Sequence, residues 1–400
     1  MVDTFWTTSG RVDDYMFEIV APNDLGKHVG WLEGVTGGSL TFGYGTELKV
    51  SGSLDISTTK FINNCLIRVH YISKLGNVKK DTVLCTCFAN TESLKFDKGR
   101  YTGSVELRST LARYIDDVFQ TVFTIGKNKS YKSELKRMVK QSAGGQYIIN
   151  SDVDDKKCSA AIALEANSTI MSGIQTIADK LNGYVTVDES GYMVLEKYIS
   201  PGKKDCSYVL PSGSYSVTKC GVTISDNSAS VANRVAVNCT CKWKQTVYVK
   251  DKNGNKQKYT SGTNKGKYKT KTEEKTKVIT GRAQVSSSDY RHYDKRGRWI
   301  TAVYTAEKNL SAVKLGKSQN FTSVQKEMNK KAASYLSSLS KTKTYEIECF
   351  YLPIKFGQVV EFSYIASGIK LNVQAMVTDI EMKLVPGGRM TVKLKHVRYV

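Results

Sequence analysis

Four histidines, nine cysteines and a run of lysines between positions 244 and 277 hold most of the chemistry this sequence could perform. His28, His70, His292 and His396 stand far apart in the chain. None falls in an H-E-x-x-H pattern or beside a nucleophile, and His70 and His396 lie inside alternating stretches, so each reads as a surface or hydrogen-bonded strand histidine. The cysteines (Cys65, Cys85, Cys87, Cys158, Cys206, Cys220, Cys239, Cys241 and Cys349) are odd in number and scattered, with no C-x-x-C pair. They read as reduced thiols of a protein assembled in a cytoplasm. Two C-T-C runs, at Cys85 to Cys87 and Cys239 to Cys241, put both thiols on one strand face; without a knuckle or a neighbouring histidine they are small buried hydrophobes rather than zinc ligands. Asp152, Asp154 and Asp155 resemble a piece of a calcium loop but lack its glycine and distal glutamate. The stretch GTNKGKYKTK, from Gly262, lacks the order of a phosphate-cradling loop and has no buried strand before it. No catalytic residue, cofactor or metal site is expected, and the chain reads as non-enzymatic.

The lysine run is the one feature with a direct electrostatic consequence. Lys244, Lys250, Lys252, Lys256, Lys258, Lys265, Lys267, Lys269, Lys271, Lys275 and Lys277 face only Asp251, Glu273 and Glu274. Interleaved Thr and Tyr keep some strand propensity, and DKNGNK supplies a turn. Two readings stand side by side. One is a solvated hairpin whose charges keep it from pairing with neighbours. The other is a contact for phosphate or another polyanion through Lys256, Lys258, Lys265, Lys267, Lys269 and Lys271. The first is preferred, because lysines alternating with threonine lack the stacking aromatics and arginines of a single-strand platform.

These residues need a scaffold. The chain has 400 residues, 40% hydrophobic and 10% aromatic, enough for more than one core, and a net charge of +22. That charge bears on solubility and on the sign of preferred partners, not on fold. The amino terminus shows no basic start followed by an apolar run, and no stretch of about 18 apolar residues appears, so neither a secretory signal nor a membrane span is expected.

Short alternating runs fill the first hundred residues: DYMFEIVA, LTFGYGTELKVSGSLDI, CLIRVHYIS, DTVLCTCFAN and RYTGSVELR. They predict an antiparallel barrel or sandwich. In the second run Leu48, Val50, Leu54 and Ile56 share a face with Gly52, while FGYGTE is a loop whose Gly43 and Gly45 would supply positive φ. From Ser109 the period becomes helical through Leu111, Tyr114, Ile115, Val118, Phe119, Val122 and Phe123. A second helix is predicted in SELKRMVKQSAG, ending at Gly144 and Gly145. A third, in NSTIMSGIQTIADKLNG, takes Ser168 as N-cap and Gly183 as stop, with a hairpin turning at Glu189 to Gly191 behind it. Residues 111–205 therefore form a small α/β module. After Pro201 strands return in SYSVTKCGVTIS and VANRVAVNCTCKWKQTVYV. A helix in VQKEMNKKAASYLSSL, with Val324, Met328, Tyr335, Leu336 and Leu339 inward, leads into the last strands.

The order of these parts resembles the baseplate hub of bacteriophage tails, including the N-terminal hub region of tail-associated lysins. The resemblance rests on the V-S-G-S-L strand, the insert closing in IQTIADKLNGYVTVDESGYMVLEKY, the junction ASVANRVAV, a late helix, and a P-x-x-x-G-x-x-V-x-F turn and strand (Pro353, Gly357, Val360, Phe362). It covers nearly the whole chain through short motifs in a fixed order. It implies a mainly β protein with two tube-like antiparallel β-barrel domains, a small α/β domain and an inserted β-hairpin region. The first barrel would span 1–110, the α/β insert 111–205, and the second barrel 206–243 with 343–400, around a lysine-rich insertion and helix at 244–342. It further implies a homotrimer in the virion tail tip, assembled in the host cytoplasm. That trimer would join the sixfold tail tube or a distal tail protein to a threefold spike, contact the tape measure protein, and pass genomic DNA through its channel. Because the chain stops at Val400 after the last barrel strands, no appended wall-degrading domain is expected. A nucleic-acid-binding protein driven by net charge is the competing class. A wall hydrolase ranks last, since no acid/base pair stands out.

Overall fold

In Val12–Ala21 (β1) side chains alternate between buried and exposed along the first half, and strands with at least one buried face follow, save the largely exposed Asp24–Trp31 and Lys95–Asp97. The strands after β1 are Asp24–Trp31 (β2), Val35–Gly43 (β3), Val50–Thr58 (β4), Cys65–Leu75 (β5), Val78–Asn90 (β6), Lys95–Asp97 (β7) and Arg100–Ser109 (β8). The computed structural model describes residues 4–62, 65–91, 94–142, 146–210, 223–226, 231–289, 292, 294, 297–339, 343–366 and 369–399. The chain divides into a first unit, Met1–Ile224 with Thr344–Val400, and a second, Ser225–Lys343.

In the first unit the ladder runs β3-β4-β8-β6-β5-β1-β2, antiparallel throughout. It does not stop at β3. Ile369–Lys383 pairs antiparallel with β3, placing Asp379 opposite Gly43 and Lys383 opposite Ser39, and Met390–Tyr399 and Lys343–Cys349 follow outward. The early and late β regions are thus one 14-stranded sheet, and among the described residues its hydrogen bonding is an open path rather than two closed rings. Within this sheet the pairing of Cys206–Leu210 with Val359–Ala366 departs from the antiparallel expectation and is parallel. The glycine inside β4 has a steric cause. Gly52 faces Leu40 across the ladder, and a Cβ there would collide with the Ser39 carbonyl oxygen, so only glycine lets β3 approach. Gly43 and Gly45 have ordinary φ; in the loop between β3 and β4 it is Lys49 that takes the left-handed conformation, at φ 64°.

The α/β insert shares the first unit's core rather than forming a separate one. The helical stripe beginning at Leu111 yields a single turn, Ala112–Ile115. Asp116 is drawn to the Arg108 guanidinium, at 2.7 and 2.8 Å, and the Asp117 carboxylate accepts the amide of Val118 at 2.9 Å. This local side-chain bonding competes with helix continuation. Phe119 and Phe123 are buried anyway, their rings 5.2 Å apart, with Phe123–Ile125 paired to Ile162–Leu164. Tyr131–Gln141 is helical as predicted, while its expected stop at Gly144 and Gly145 lies outside the described residues. The helix Ile170–Leu181 is capped one residue away from expectation at each end. Thr169 accepts from the Ser172 amide, because the Ser168 hydroxyl is turned back to donate to the Glu165 carbonyl. Asn182, at φ 54°, makes the left-handed stop, and Gly183 already begins the hairpin Gly183–Val187 and Met193–Lys197.

The second unit corrects the expected boundary at residue 243. Arg234–Tyr248 is one uninterrupted strand. It pairs antiparallel with Thr270–Gln284 from Arg234 opposite Gln284 to Tyr248 opposite Thr270, and parallel with Thr301–Asn309. Residues 234–243 therefore belong to this sheet and not to a second barrel. The lysines change the strand's surface but not its period, because Trp243 and Val247 continue the face of Cys239 and Cys241 at alternate positions. Val235, Val237, Cys239 and Cys241 are covered by Val324, Met328, Ala332 and Leu336 of the helix Thr322–Ser338. Tyr335 is not in that inward set; it is 38% exposed and stacks on Tyr304 at 4.3 Å. Of the stretch SYSVTKCGVTIS, only its end is described, in the strand Thr223–Asp226; Cys220 lies outside the described residues.

Candidate functional site

The six lysines singled out by sequence sit at the far end of the hairpin made by Arg234–Tyr248 and Thr270–Gln284. Beyond that ladder the chain makes two turns, one at Asp251 to Asn255 and one at Gly262 to Lys265. Three backbone hydrogen bonds form a cycle between the passing segments: Val249 to Lys269, Lys269 to Gln257 and Gln257 to Val249, at 2.8 to 3.0 Å. The tip is therefore a held scaffold. Its lysines have unequal surroundings. Lys256 stands over the rings of Tyr248 and Tyr268, at 4.2 and 5.6 Å, Lys258 over Tyr268 at 5.1 Å, and Lys269 over Tyr259 at 5.6 Å. Lys265 and Lys267 belong to the second turn, where the Lys267 ammonium donates to the Asn264 amide oxygen at 3.4 Å. Lys271 is set apart: with Lys275 it flanks Glu273, whose carboxyl these two ammonium groups hold down at about 2. The sequence reading assigned the interleaved tyrosines strand propensity only and missed their place among the lysines. Tyr248, Tyr259 and Tyr268 are spread over twenty residues, and only the double turn gathers them among the lysines.

A second site lies within the first unit, where the loop after β3, the hairpin at 183–197 and the segment at 351–358 enclose a cavity of about 530 Å³. Tyr44 and Tyr184 stack there with centroids 4.5 Å apart, and the Tyr184 hydroxyl donates to the Tyr44 carbonyl at 2.8 Å. Lys49 donates to the same carbonyl at 2.8 Å and lies 4.6 Å from the Tyr184 ring. Lys204 reaches across to the Gly357 carbonyl at 2.7 Å. Gly357 itself has φ 80°, and a Cβ on it would come within 2.9 Å of the Tyr44 ring, which accounts for the glycine of the P-x-x-x-G-x-x-V-x-F turn. Val360 and Phe362 of that motif are fully buried. Burial pushes the Glu196 carboxyl up and the Lys204 ammonium down, with each charge partly opposing the other's shift. The arrangement ties three segments together through rings and ammonium groups. No sequence signal marks it, since its members are brought in from positions up to 313 residues apart.

Lys49 yields a pH prediction. Burial lowers its ammonium from 10.5 to about 8, with Glu47 opposing. Between those values the unfolded chain holds a proton that the folded chain has released, so stability rises with pH across that window. The thermal midpoint of the wild type is expected to gain on a Lys49→Met variant's as pH goes from 8 to 10, in a melting series followed by circular dichroism. Parallel curves for the two proteins would refute it.

The histidines are held in local pairs. His28 and His70 both face Glu18, His292 faces Asp294 at 3.1 Å, and His396 meets the Tyr345 hydroxyl at 3.1 Å. Cys239 and Cys241 lie with their sulfurs 4.0 Å apart and fully buried; Cys85 and Cys87 are equally buried, and the neighbouring thiol together with burial pushes Cys85 well up. Among the described residues no three His, Cys, Asp or Glu side chains are grouped to hold a metal ion, and no described helix is long and apolar enough to cross a membrane.

No family model and no curated protein sequence matches the chain. Its fold does match solved structures. It is similar to the 43 kDa tail protein of prophage MuSo2 from Shewanella oneidensis, with a TM-score of 0.53 and 14% identity over 96% of this chain and 98% of that one. It is equally similar to a tail protein of Neisseria meningitidis MC58, with a TM-score of 0.53 and 10% identity over 96% of each chain. The mainly β architecture with its α/β insert is the fold of these tail proteins.

Proposed function

Starting from a fold shared with phage tail proteins, we propose that this chain is the structural hub of a phage tail tip. Three copies would join a sixfold tube to a threefold distal end and line part of the DNA channel. The observation that carries this reading is the extent of the match, which runs from end to end through both β regions, the α/β insert and the second unit. Two β regions in one polypeptide are what a threefold assembly needs to present six similar faces, and rings of this kind close through heterologous contacts. The tube or a distal tail protein, the tape measure protein and a spike are the partners of this reading, and the virion is its place. The protein turns over no substrate in this reading.

The lysines of 244–277 lie away from the channel in this reading, because a strongly positive lumen would hold DNA rather than let it slide. The test is the mass of the purified protein by light scattering, with negative-stain images of the same sample. Three copies around a central opening are expected. A protein that stays monomeric at tens of micromolar and shows no ring overturns the hub assignment.

A further inference from the structure

We propose that the hairpin tip spanning residues 249–269 is a contact site for a phosphate-bearing polyanion outside any channel. The first ground is unbalanced charge. Lys250, Lys252, Lys256, Lys258, Lys265, Lys267 and Lys269 have no ion-pair partner among the described residues, and they outnumber the one carboxylate of the tip, Asp251, whose Oδ1 accepts the backbone amides of Asn253 and Asn255 at 2.9 and 2.8 Å. The second ground is placement. Lys250 and Lys256 are bridged directly opposite one another. Like charges in that position destabilise a strand pair, so the fold bears a repulsion that an anion would relieve.

The third ground is order. The backbone cycle fixes the scaffold, and the rings of Tyr248, Tyr259 and Tyr268 hold the ammonium groups of Lys256, Lys258 and Lys269 by cation–π contact. Lys256 and Lys258, two residues apart on bridged extended backbone, project at an interval of about 7 Å, while Lys265 and Lys267 stand in the second turn. Together with Lys269 they make a cluster of donors suited to successive anionic groups. A phosphate offers several acceptor oxygens on one centre, so adjacent ammonium groups can share it. Tyr259 and Tyr268, 38% and 44% exposed, add ring surface to which a polymer's apolar parts can lie close.

The experiment uses the full chain. Labelled (dT)20 and linear inorganic polyphosphate are titrated separately between 50 and 200 mM KCl against the wild type and a Lys256→Gln/Lys258→Gln/Lys269→Gln variant. A second variant, Lys136→Gln/Lys140→Gln/Lys180→Gln, removes the same charge from exposed positions in the first unit. The tip variant is expected to bind both polymers at least tenfold more weakly, with the slope of log K on log salt reduced by about 2 for three lost contacts to a flexible strand. The control variant is expected to stay close to wild type, and thermal melting confirms that both variants fold. Tighter binding of (dT)20 than of polyphosphate would support the site and add base contacts to it. Equal weakening in the two variants, no binding by the wild type at 50 mM, or competition by polyglutamate as effective as that by polyphosphate would each overturn the proposal.

Discussion

Gly281→Ala is expected to destabilise the second unit by roughly 3 kcal/mol or more, at the upper end of what overpacking a core costs. Gly281 sits in Thr270–Gln284 where the helix Thr322–Ser338 crosses it, and a Cβ built there would overlap the backbone carbon and oxygen of Met328 and the amide of Asn329. Backbone cannot step aside as a side-chain tip can. The helix would have to lift off the strand, opening the contacts of Met328 and Val324 with Val237, Cys239 and Ile279. Hydrogen exchange checks this directly. Amides of 234–248 and 322–338 should lose protection while those of β5 and β6 keep theirs; unchanged protection across the helix would show that the crossing is looser than described.

Glu18→Gln is expected to cost about 3–5 kcal/mol, the range for removing one partner of a buried ion pair. Glu18 is 7% exposed in β1 and accepts from the Arg68 guanidinium at 2.9 Å, with His28 and His70 on its carboxyl at 2.8 and 3.3 Å. Arg68 also donates to the Leu25 carbonyl and to Thr86. The substitution would leave a guanidinium at the join of β1, β5 and β6 without its countercharge. A pH dependence accompanies it. Burial raises the Glu18 carboxyl, but the hydrogen bonds of His28 and His70 and the charge and hydrogen bond of Arg68 outweigh burial and hold it below its ordinary value. The folded chain therefore releases this proton more readily than the unfolded one. The resulting stability is present above the ordinary carboxylate range and is lost as pH falls below about 4. In urea titrations from pH 6 to pH 3 the wild type should lose stability faster than Glu18→Gln, and equal losses would count against the network.

Six of the first eight strands (β1, β3, β4, β5, β6 and β8) and the two main helices of the insert were legible because each buries one face, and a face leaves a period in the sequence; β2 and β7, almost wholly exposed, leave none. The order of short motifs was legible for a similar reason: Gly52 and Gly357 are held by close backbone or ring approaches that no other residue allows. The stripe after Leu111 misled because period reports burial and not conformation. Phe119 and Phe123 are buried from an extended loop and a strand as thoroughly as a helix would bury them. The boundary at 243 misled for the opposite reason, since a change in composition was taken as a change in partner, whereas Arg234–Tyr248 keeps Thr270–Gln284 as its antiparallel partner to its end and only the parallel partner Thr301–Asn309 stops, at Lys242.

By itself the sequence determined which segments extend, which coil, and where positive charge accumulates, because these follow from side-chain type at neighbouring positions. Only the tertiary structure decided that β3 and Ile369–Lys383 make one sheet of the two β regions, that Tyr44, Lys49, Tyr184 and Gly357 meet around a cavity, and that three tyrosines stand among the lysines of the tip. Such contacts join residues far apart in the chain. Their energy depends on register, twist and turn geometry accumulated over every residue between them, and no local pattern carries that sum.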